Sequence, residues 1–319
     1  MNLKSLKNNS LLLQCILMGF SEKKSRVGGQ AIIEGVMMRS KQKISWAVRR
    51  PDGETVVERF PFVSLANRYK ILSLPVIRGC INLYESLKVG YNALTRSAQI
   101  AAGEAVPEPP KRRKSKDKYA FLASFLVALA VSLGIFMYLP MLISQVFLKN
   151  SAIEFNILAG AIRITLFILY LVLISLWKDI RRVFEYHGAE HKAIFTFEDG
   201  KELTLENMRP YSTHHPRCGT SFLLLVALIC IFLFSVIDSL VTVLIAPYPN
   251  VMMRFFVHIA LVPVVAGLSY EVLRLSDRFQ QIPLVRFLIL PGLWLQNITT
   301  KEPDDSQLQV AASALRASL

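Results

Sequence analysis

The sequence predicts a polytopic α-helical membrane protein with four transmembrane helices, a short interfacial or re-entrant segment and an N-terminal α+β cytosolic domain. The chain has 319 residues, of which 53% are hydrophobic, and its mean hydropathy is +0.40. These values are high for a soluble protein, and they come from long apolar runs rather than from an even spread. Basic residues also recur on one side of the successive runs.

Four apolar runs are long enough to cross a bilayer, which takes about 20 residues. Basic residues precede the first run at 111–118, follow the second at 178–182 and follow the fourth at Arg274 and Arg278. By the positive-inside rule, both termini lie in the cytosol and residues 178–220 lie at the cytosolic surface of the inner membrane. The predicted spans are Tyr119–Leu148, Phe155–Trp177, Ser221–Ala246 and Val251–Leu273.

The rest of the chain divides by composition. Residues 284–296 are apolar but too short to span, so we predict an interfacial or re-entrant segment there. The pattern of β-branched residues around Pro51-Asp52-Gly53 predicts a hairpin, and an apolar stripe from Val76 to Ala98 predicts a helix. The predicted units are a flexible leader 1–26, a basic α+β domain 27–102, a Pro/Lys/Arg linker 103–118, a membrane domain 119–299 and a flexible tail 300–319.

Positive charge is concentrated in the first third of the chain. Residues 1–118 hold 22 of the 37 Lys and Arg residues and 9 of the 23 acidic residues, so that part is net +13. Because this block directly precedes the spans, we expect residues 111–118 to bind anionic lipid headgroups at the bilayer. We expect no nucleic acid partner, because the basic residues lack an aromatic-interleaved strand motif. Four scattered cysteines form no disulfide framework and indicate a reducing compartment.

Two short motifs between the second and third spans hold most of the histidines. The first, residues 186–192, places His187 and His191 four residues apart, so on a helix their side chains share one face. Glu190 lies beside them as in the H-x-x-E-H pattern, where a glutamate acts as general base. The second motif offers His215 and Cys218 as further ligands. The donor set predicts a divalent metal, with zinc the natural choice.

Other interpretations of these motifs stay open. Histidine and glutamate side chains at a membrane surface also bond one another and cap helices, and Gly188 weakens the helical prediction by about 1 kcal/mol. Either Cys218 or His215 is the third ligand of an open site, or both close a structural one. Glu271, near the inner end of the fourth span, is a candidate for a further ligand or for a residue that hydrogen-bonds to the ligands, and Glu34 is a candidate for the latter role.

Ionisable residues inside the spans form a second candidate cluster. Arg163, Asp238 and His258 each lie about seven residues from the outer end of their span, roughly 10 Å deep. Equal depth predicts an Arg–Asp–His cluster in the bundle interior, where charges must be paired. A structural ion pair is the preferred interpretation, and a transport path is the minor one, because four spans show no internal repeat.

Three long motifs in order resemble the YqhQ-type bacterial membrane family. They are Gly28–Arg39, Tyr186–Lys192 and His215–Phe222, and the likeness covers about residues 27–299. That family is catalogued as a domain of unknown function and is often described as a predicted metal-dependent enzyme. The resemblance therefore implies a polytopic membrane protein with a suspected metal site. His214 stands just outside the matching motif, so the resemblance favours His215 as a ligand.

Two functions follow from these observations. The first is a membrane-embedded metal-dependent hydrolase, in which His187, His191 and either Cys218 or His215 bind zinc and Glu190 is the catalytic base. The second is a non-catalytic membrane scaffold, in which a metal or a hydrogen-bond network clasps the histidine loop to the spans. Substitution of Glu190 by Gln distinguishes them, because only the enzyme needs that carboxylate.

Overall fold

A computed structural model describes residues 27–104, 115–148, 152–216, 218–278 and 282–319. The predicted leader and the basic residues 111–114 lie outside the described residues. Four strands come first: β1 Gly28–Ile32, β2 Gly35–Arg39, β3 Lys43–Arg49 and β4 Thr55–Pro61. The helices are α1 Leu65–Arg68, α2 Ile77–Ala101, α3 Ser115–Leu133, α4 Leu139–Phe147, α5 Ala152–Ser175, α6 Lys178–Glu198, α7 Leu205–Met208, α8 Gly219–Leu244, α9 Val251–Arg278, α10 Pro283–Thr299 and α11 Asp305–Ser318.

The strands form one antiparallel sheet in the order β1-β2-β3-β4. The predicted hairpin at residues 51–53 joins β3 to β4, and β1 is an edge strand. Successive side chains of a strand point to opposite faces, and both faces of this sheet are buried. Met37 and Trp46 pack with α2 on one face, whereas Met38 and Ala47 pack with α6 and α11 on the other. The sheet is therefore the middle layer of a three-layer domain.

The C-terminal segment is an ordered helix, and the prediction of a flexible tail for residues 300–319 is wrong. Asp304 caps α11 by accepting a hydrogen bond from the Gln307 backbone N–H at 2.8 Å, and the Gln307 side chain returns a bond to the Asp304 N–H. Small and apolar residues then recur on one face, including Leu308, Ala311 and Leu315, all buried. The low mean hydropathy of the segment concealed this amphipathic pattern.

Four helices are long and apolar enough to cross a membrane: Ala123–Phe147, Ala152–Ser175, Val226–Leu244 and Val251–Val272. They agree with the four predicted runs. The predicted linker ends earlier than expected, because α3 begins at Ser115. The predicted interfacial segment is the 17-residue helix α10. Its residue Leu295 packs against Leu171 of α5.

The first candidate span contains a π-helical turn, Gly134–Tyr138, just before Pro140. In an α-helix the Phe136 carbonyl would accept from the N–H of residue 140, which proline lacks. Arg163 of α5 donates to that carbonyl at 2.9 Å instead. Arg163, which the sequence predicted to lie in an Arg–Asp–His cluster, thus donates to the carbonyl that Pro140 leaves without an N–H partner.

The predicted cluster forms without Arg163. Asp238 is fully buried and accepts hydrogen bonds from His258 Nε2 at 2.9 Å and from Asn156 at 2.8 Å. Its basic partner is Arg254, 3.5 Å away on the same helix as His258. Depth along the span does not identify the basic partner of Asp238, because it does not determine which face of a helix points into the bundle. The interpretation as a structural ion pair fits this bonding.

Candidate metal centre

Helix α6 carries the first histidine motif, and it continues through Gly188 without a break. His187 and His191 lie on one face with ring centroids 4.5 Å apart. Cys218, at the residue before α8, brings its thiol to 3.1 Å from His187 Nε2. One ligand atom from each of these three residues lies within 4.8 Å of the other two. His191 and Cys218 are buried, and His187 is half-buried.

Backbone carbonyls orient both imidazole rings. Nδ1 of His187 is 2.8 Å from the Thr299 carbonyl oxygen, and Nδ1 of His191 is 2.5 Å from that of Thr213. A carbonyl oxygen can only accept, so each Nδ1 carries the proton, and in the neutral ring the lone pair is on Nε2. Metal-binding histidines are held in this way in other proteins. The two rings are therefore fixed in the tautomer that a metal requires.

The buried Nε2 of His191 supports the same conclusion. It makes no hydrogen bond of good geometry with any residue that the structure describes, although the Cys218 thiol is close enough to interact. Burial lowers the pKa of His191, while the interactions with Cys218 and the Thr213 carbonyl oppose that shift. A neutral imidazole with a buried lone pair is the form that binds a metal ion.

Glu190 lies beside this triangle but outside it. Its side chain is buried and accepts a hydrogen bond from the backbone N–H of Gly29 on the edge strand β1. Burial is the largest influence on the pKa of this carboxyl and raises it to about 8; Cys218 contributes to the rise, while His187 and the Gly29 amide oppose it. Oε2 of Glu190 has no hydrogen-bond partner among the described residues. This carboxyl can give or take a proton close to the three ligand atoms.

Two glycines allow other segments to approach the histidine helix. A Cβ on Gly29 would stand 2.7 Å from Glu190 Oε1, and a Cβ on Gly188 would overlap the Lys301 carbonyl oxygen. Lys301 N–H also donates to the Phe184 carbonyl at 2.9 Å. The segment after α10 therefore runs along α6, which is how the Thr299 carbonyl reaches His187. Gly188 is not a helix breaker here but the place where this segment makes contact.

His215 lies one layer behind the triangle. Its ring centroid is 5.6 Å from that of His191, and its Nε2 is 3.5 Å from Glu198 Oε2. The buried side chain of Gln296 clamps its backbone, accepting from the His215 N–H at 2.8 Å and donating to the His215 carbonyl at 2.9 Å. Of the two alternatives for the third ligand, Cys218 is thus the residue that meets both histidines.

Two expected supporting residues lie elsewhere. Glu271 forms an ion pair with Arg78 at the start of α2, with Nε to Oε1 at 2.6 Å, so it does not reach the histidines. Glu34 binds Arg182 of α6 and accepts from the Tyr186 hydroxyl at 3.2 Å. It contacts the histidine helix one turn before the ligands rather than the ligands themselves.

Comparisons with known proteins show the family of this chain. A family model described as "Protein of unknown function (DUF1385)" matches residues 74–319. The chain is also 33% identical over 297 residues to "Uncharacterized protein YqhQ" of Bacillus subtilis (strain 168), covering 89% of each chain. The chain belongs to the DUF1385 family. No solved structure matches it.

Membership of the DUF1385 family confirms the resemblance that the three motifs predicted, and the match from residue 74 onward includes all three residues of the triangle. Sequence reasoning missed the carbonyls of Thr213 and Thr299, because a backbone group carries no signal in a sequence. Gln296 had a signal: a polar residue at the end of an apolar run. Lys192, the last motif residue, is buried and donates to the Arg209 carbonyl and to Glu302.

Proposed function

We propose that this protein is a multi-pass protein of the cytoplasmic membrane that binds a divalent transition metal at its cytosolic face and acts as a metal-dependent hydrolase. His187, His191 and Cys218 hold the ion, and Glu190 is the general base. The observation that carries the proposal is the convergence of two imidazole Nε2 atoms, each with its Nδ1 bonded to a carbonyl, on one thiol. Nitrogen and sulfur donors of this kind favour zinc.

The topology supports a cytosolic site. Helix α4 and the starts of α5 and α9 pack together at one end of the candidate spans. Helix α6 begins at the other end, and its first turns carry the basic residues Lys178, Arg181 and Arg182. Basic residues next to spans favour the cytosolic side. Both described ends of the chain, β1 and α11, pack with α6, so they share that side.

The chemistry follows from the separation of roles around the site. His187, His191 and Cys218 would hold the ion and leave it open to substrate or water, and zinc bound there would supply an activated water near neutral pH. Glu190 is close enough to interact with His187 and Cys218 yet is not one of the three ligands. Its side chain takes the proton of the attacking water and passes it to the leaving group. A peptide or lipid-linked substrate would reach this site along the membrane surface.

Metal content is the direct test. The full-length protein is purified in mild detergent and measured by elemental mass spectrometry beside His187→Ala, His191→Ala and Cys218→Ser. We expect about one zinc per wild-type chain and loss of at least nine-tenths of it in each variant. His214→Ala is the matched control, because that side chain bonds Asn297 instead of the triangle. Folded wild-type protein that takes up no metal, even after loading, overturns the proposal.

The same experiment decides the open choice between Cys218 and His215. We expect His215→Gln to retain its metal, because that ring faces Glu198 and lies behind His191. Loss of metal in His215→Gln equal to that in Cys218→Ser would make the site a closed four-ligand site, which is structural.

The second candidate function is a membrane scaffold in which the same cluster is only a clasp. One observation favours it: the cluster joins α6, the loop at Thr213, the start of α8 and the end of α10. Complementation of a deletion strain separates the two. An enzyme requires that Glu190→Gln keeps the metal and loses function, whereas a clasp requires that Glu190→Gln is silent while His191→Ala lowers protein abundance.

A further inference from the structure

Helix α2, which is not one of the four candidate spans, packs against one of them. The first turns of α2 pack on α9, the helix that contains the fourth candidate span. Cys80 Sγ donates to the Pro263 carbonyl at 3.0 Å, and a Cβ on Gly79 would stand 2.8 Å from Gly267 Cα. At Gly79 and Gly267 the two backbones approach without an intervening side chain, and the Cys80 thiol contacts the backbone of α9 directly beside them.

The position of these contacts along the span gives their depth. The fourth candidate span runs from Val251 to Val272, and Val272 is the end nearer the sheet. Gly267 and Pro263 lie five and nine residues before that end, or about 7 and 13 Å into the span at 1.5 Å per residue. The hydrocarbon core of a bilayer is about 30 Å thick, so the start of α2 lies within one leaflet.

The surface of this region has the composition of a lipid-facing surface. Between residues 69 and 94, large apolar side chains are exposed, Leu87 by 65% and Ile71 by 72%. The others are Tyr69, Leu74, Ile77, Leu83, Tyr84, Tyr91 and Leu94. An exposed apolar patch of this extent marks a membrane or partner contact. Tyrosines are also the residues that collect at the boundary between hydrocarbon and headgroups.

Few charges interrupt this surface. From residue 71 to residue 87 the charged side chains are Arg78 and Glu85, and each is paired with another element, Arg78 with Glu271 and Glu85 with Arg39. Two exposed basic residues, Lys70 and Lys88, lie within the segment among its apolar side chains. Long basic side chains on an apolar face extend their charged ends toward anionic headgroups.

We propose that the segment 69–94 is a membrane-inserted element that lies in the cytosolic leaflet with acyl chains against its apolar face. This segment anchors the three-layer domain to the bilayer through α2, in addition to the connection through the spans. The occupant is phospholipid, because the apolar segment meets the fourth candidate span at Gly267 and Pro263 and carries exposed Lys70 and Lys88 among its apolar side chains. The inference rests on the membrane assignment and is independent of the metal site.

Photo-cross-linking in the full-length protein tests this. p-Benzoylphenylalanine is introduced in place of Tyr84 or Leu87, the protein is irradiated in native membranes, and adducts are identified by mass spectrometry. Phe232, 67% exposed on the third candidate span, is the lipid-facing reference, and Asp52, exposed in the hairpin near the far end of α2, is the water-facing reference. We expect phospholipid adducts at Tyr84 and Leu87 within about threefold of those at Phe232 and at least about tenfold above Asp52.

Three results overturn the proposal. Adducts at Tyr84 and Leu87 to a second copy of the chain, or to another protein, assign the surface to a protein partner. Adduct levels at both sites equal to those at Asp52 place the segment in water. Absence of lipid adducts at Phe232 removes the membrane assignment on which the inference rests, whereas a metal-free protein with lipid adducts leaves this inference intact and removes the hydrolase.

Discussion

The Lys301 carbonyl oxygen occupies the space that a side chain on Gly188 would need. This single approach lets the segment after α10 lie along the histidine helix, where Lys301 N–H bonds the Phe184 carbonyl and the Thr299 carbonyl bonds His187. The glycine in the middle of the motif therefore lets the Thr299 carbonyl reach and orient His187, although it contributes no ligand.

Gly188→Ala should destabilise the protein and weaken metal binding together. An added methyl elsewhere in a helix gains about 1 kcal/mol, but here it meets a backbone carbonyl, and overpacking costs about 1–3 kcal/mol. We expect a lower melting temperature in detergent and a reduced zinc content. If Gly188→Ala melts at or above the wild-type temperature with its metal in place, the approach of Lys301 is not needed.

Gly29→Ala should impair function while leaving the metal bound. The added Cβ would stand 2.7 Å from Glu190 Oε1, so it displaces the carboxylate, and its three nearest atoms all belong to Glu190 and none to a ligand residue. A misplaced general base costs about tenfold to a hundredfold in rate. Complementation of a deletion strain together with elemental analysis reports both effects.

Gly28→Ala is the matched control for that variant. It changes the neighbouring residue of the same strand, where a Cβ meets no described atom within 4 Å. Equal behaviour of the two alanine variants would mean that Gly29 has no special relation to Glu190.

Asp304→Ala should lower the free energy of unfolding by about 1 kcal/mol, because it removes the capping box of α11. That helix packs against the sheet and α6, so fraying of its first turn also weakens packing against the histidine helix. Thermal melting in detergent measures the change. Asp305→Asn is the neighbouring control: its pair with Arg209 is exposed, and exposed pairs contribute little. A larger effect at Asp305 than at Asp304 would contradict the capping role.

Arg163→Met should cost less stability when Pro140 is also replaced by Ala. In the wild type the arginine is the donor for the Phe136 carbonyl, and an unsatisfied buried carbonyl costs about 1–3 kcal/mol. Alanine at position 140 supplies an N–H in the place where an α-helix provides one. A double-mutant cycle of unfolding free energies in detergent should give a coupling of about 1 kcal/mol. Strict additivity would show that Arg163 serves another partner.

Patterns along the chain were enough for much of this architecture. Runs of apolar residues located all four candidate spans, because burial in lipid requires about 20 consecutive apolar residues whatever the neighbours do. The spacing of His187 and His191 placed them together, because four residues return to one face of a helix. The hairpin at residues 51–53 followed from turn residues between β-branched ones.

Contacts between distant segments could not be read in the same way. Residues 300–319 contain no long apolar run, because their helix is amphipathic and rich in alanine. Its Ala and Leu face is buried only because a distant segment, the sheet, packs against it. Arg163 and Arg254 lie in different helices, and the side each helix turns toward Asp238 depends on packing. The position of Glu271 also depends on packing, because the close approach of α2 and α9 at Gly79 and Gly267 brings it to Arg78.

The sequence by itself determined the four apolar helices, the pairing of two histidines on one helical face, and the family to which the chain belongs. Only the tertiary structure brought Cys218 to His187 and His191, placed the carbonyls of Thr213 and Thr299 on the two rings, and set Gly29 beside Glu190. The reason is physical. Periodicity and hydropathy are local properties of a chain, whereas a site built from backbone groups and close approaches exists only once distant segments have packed together.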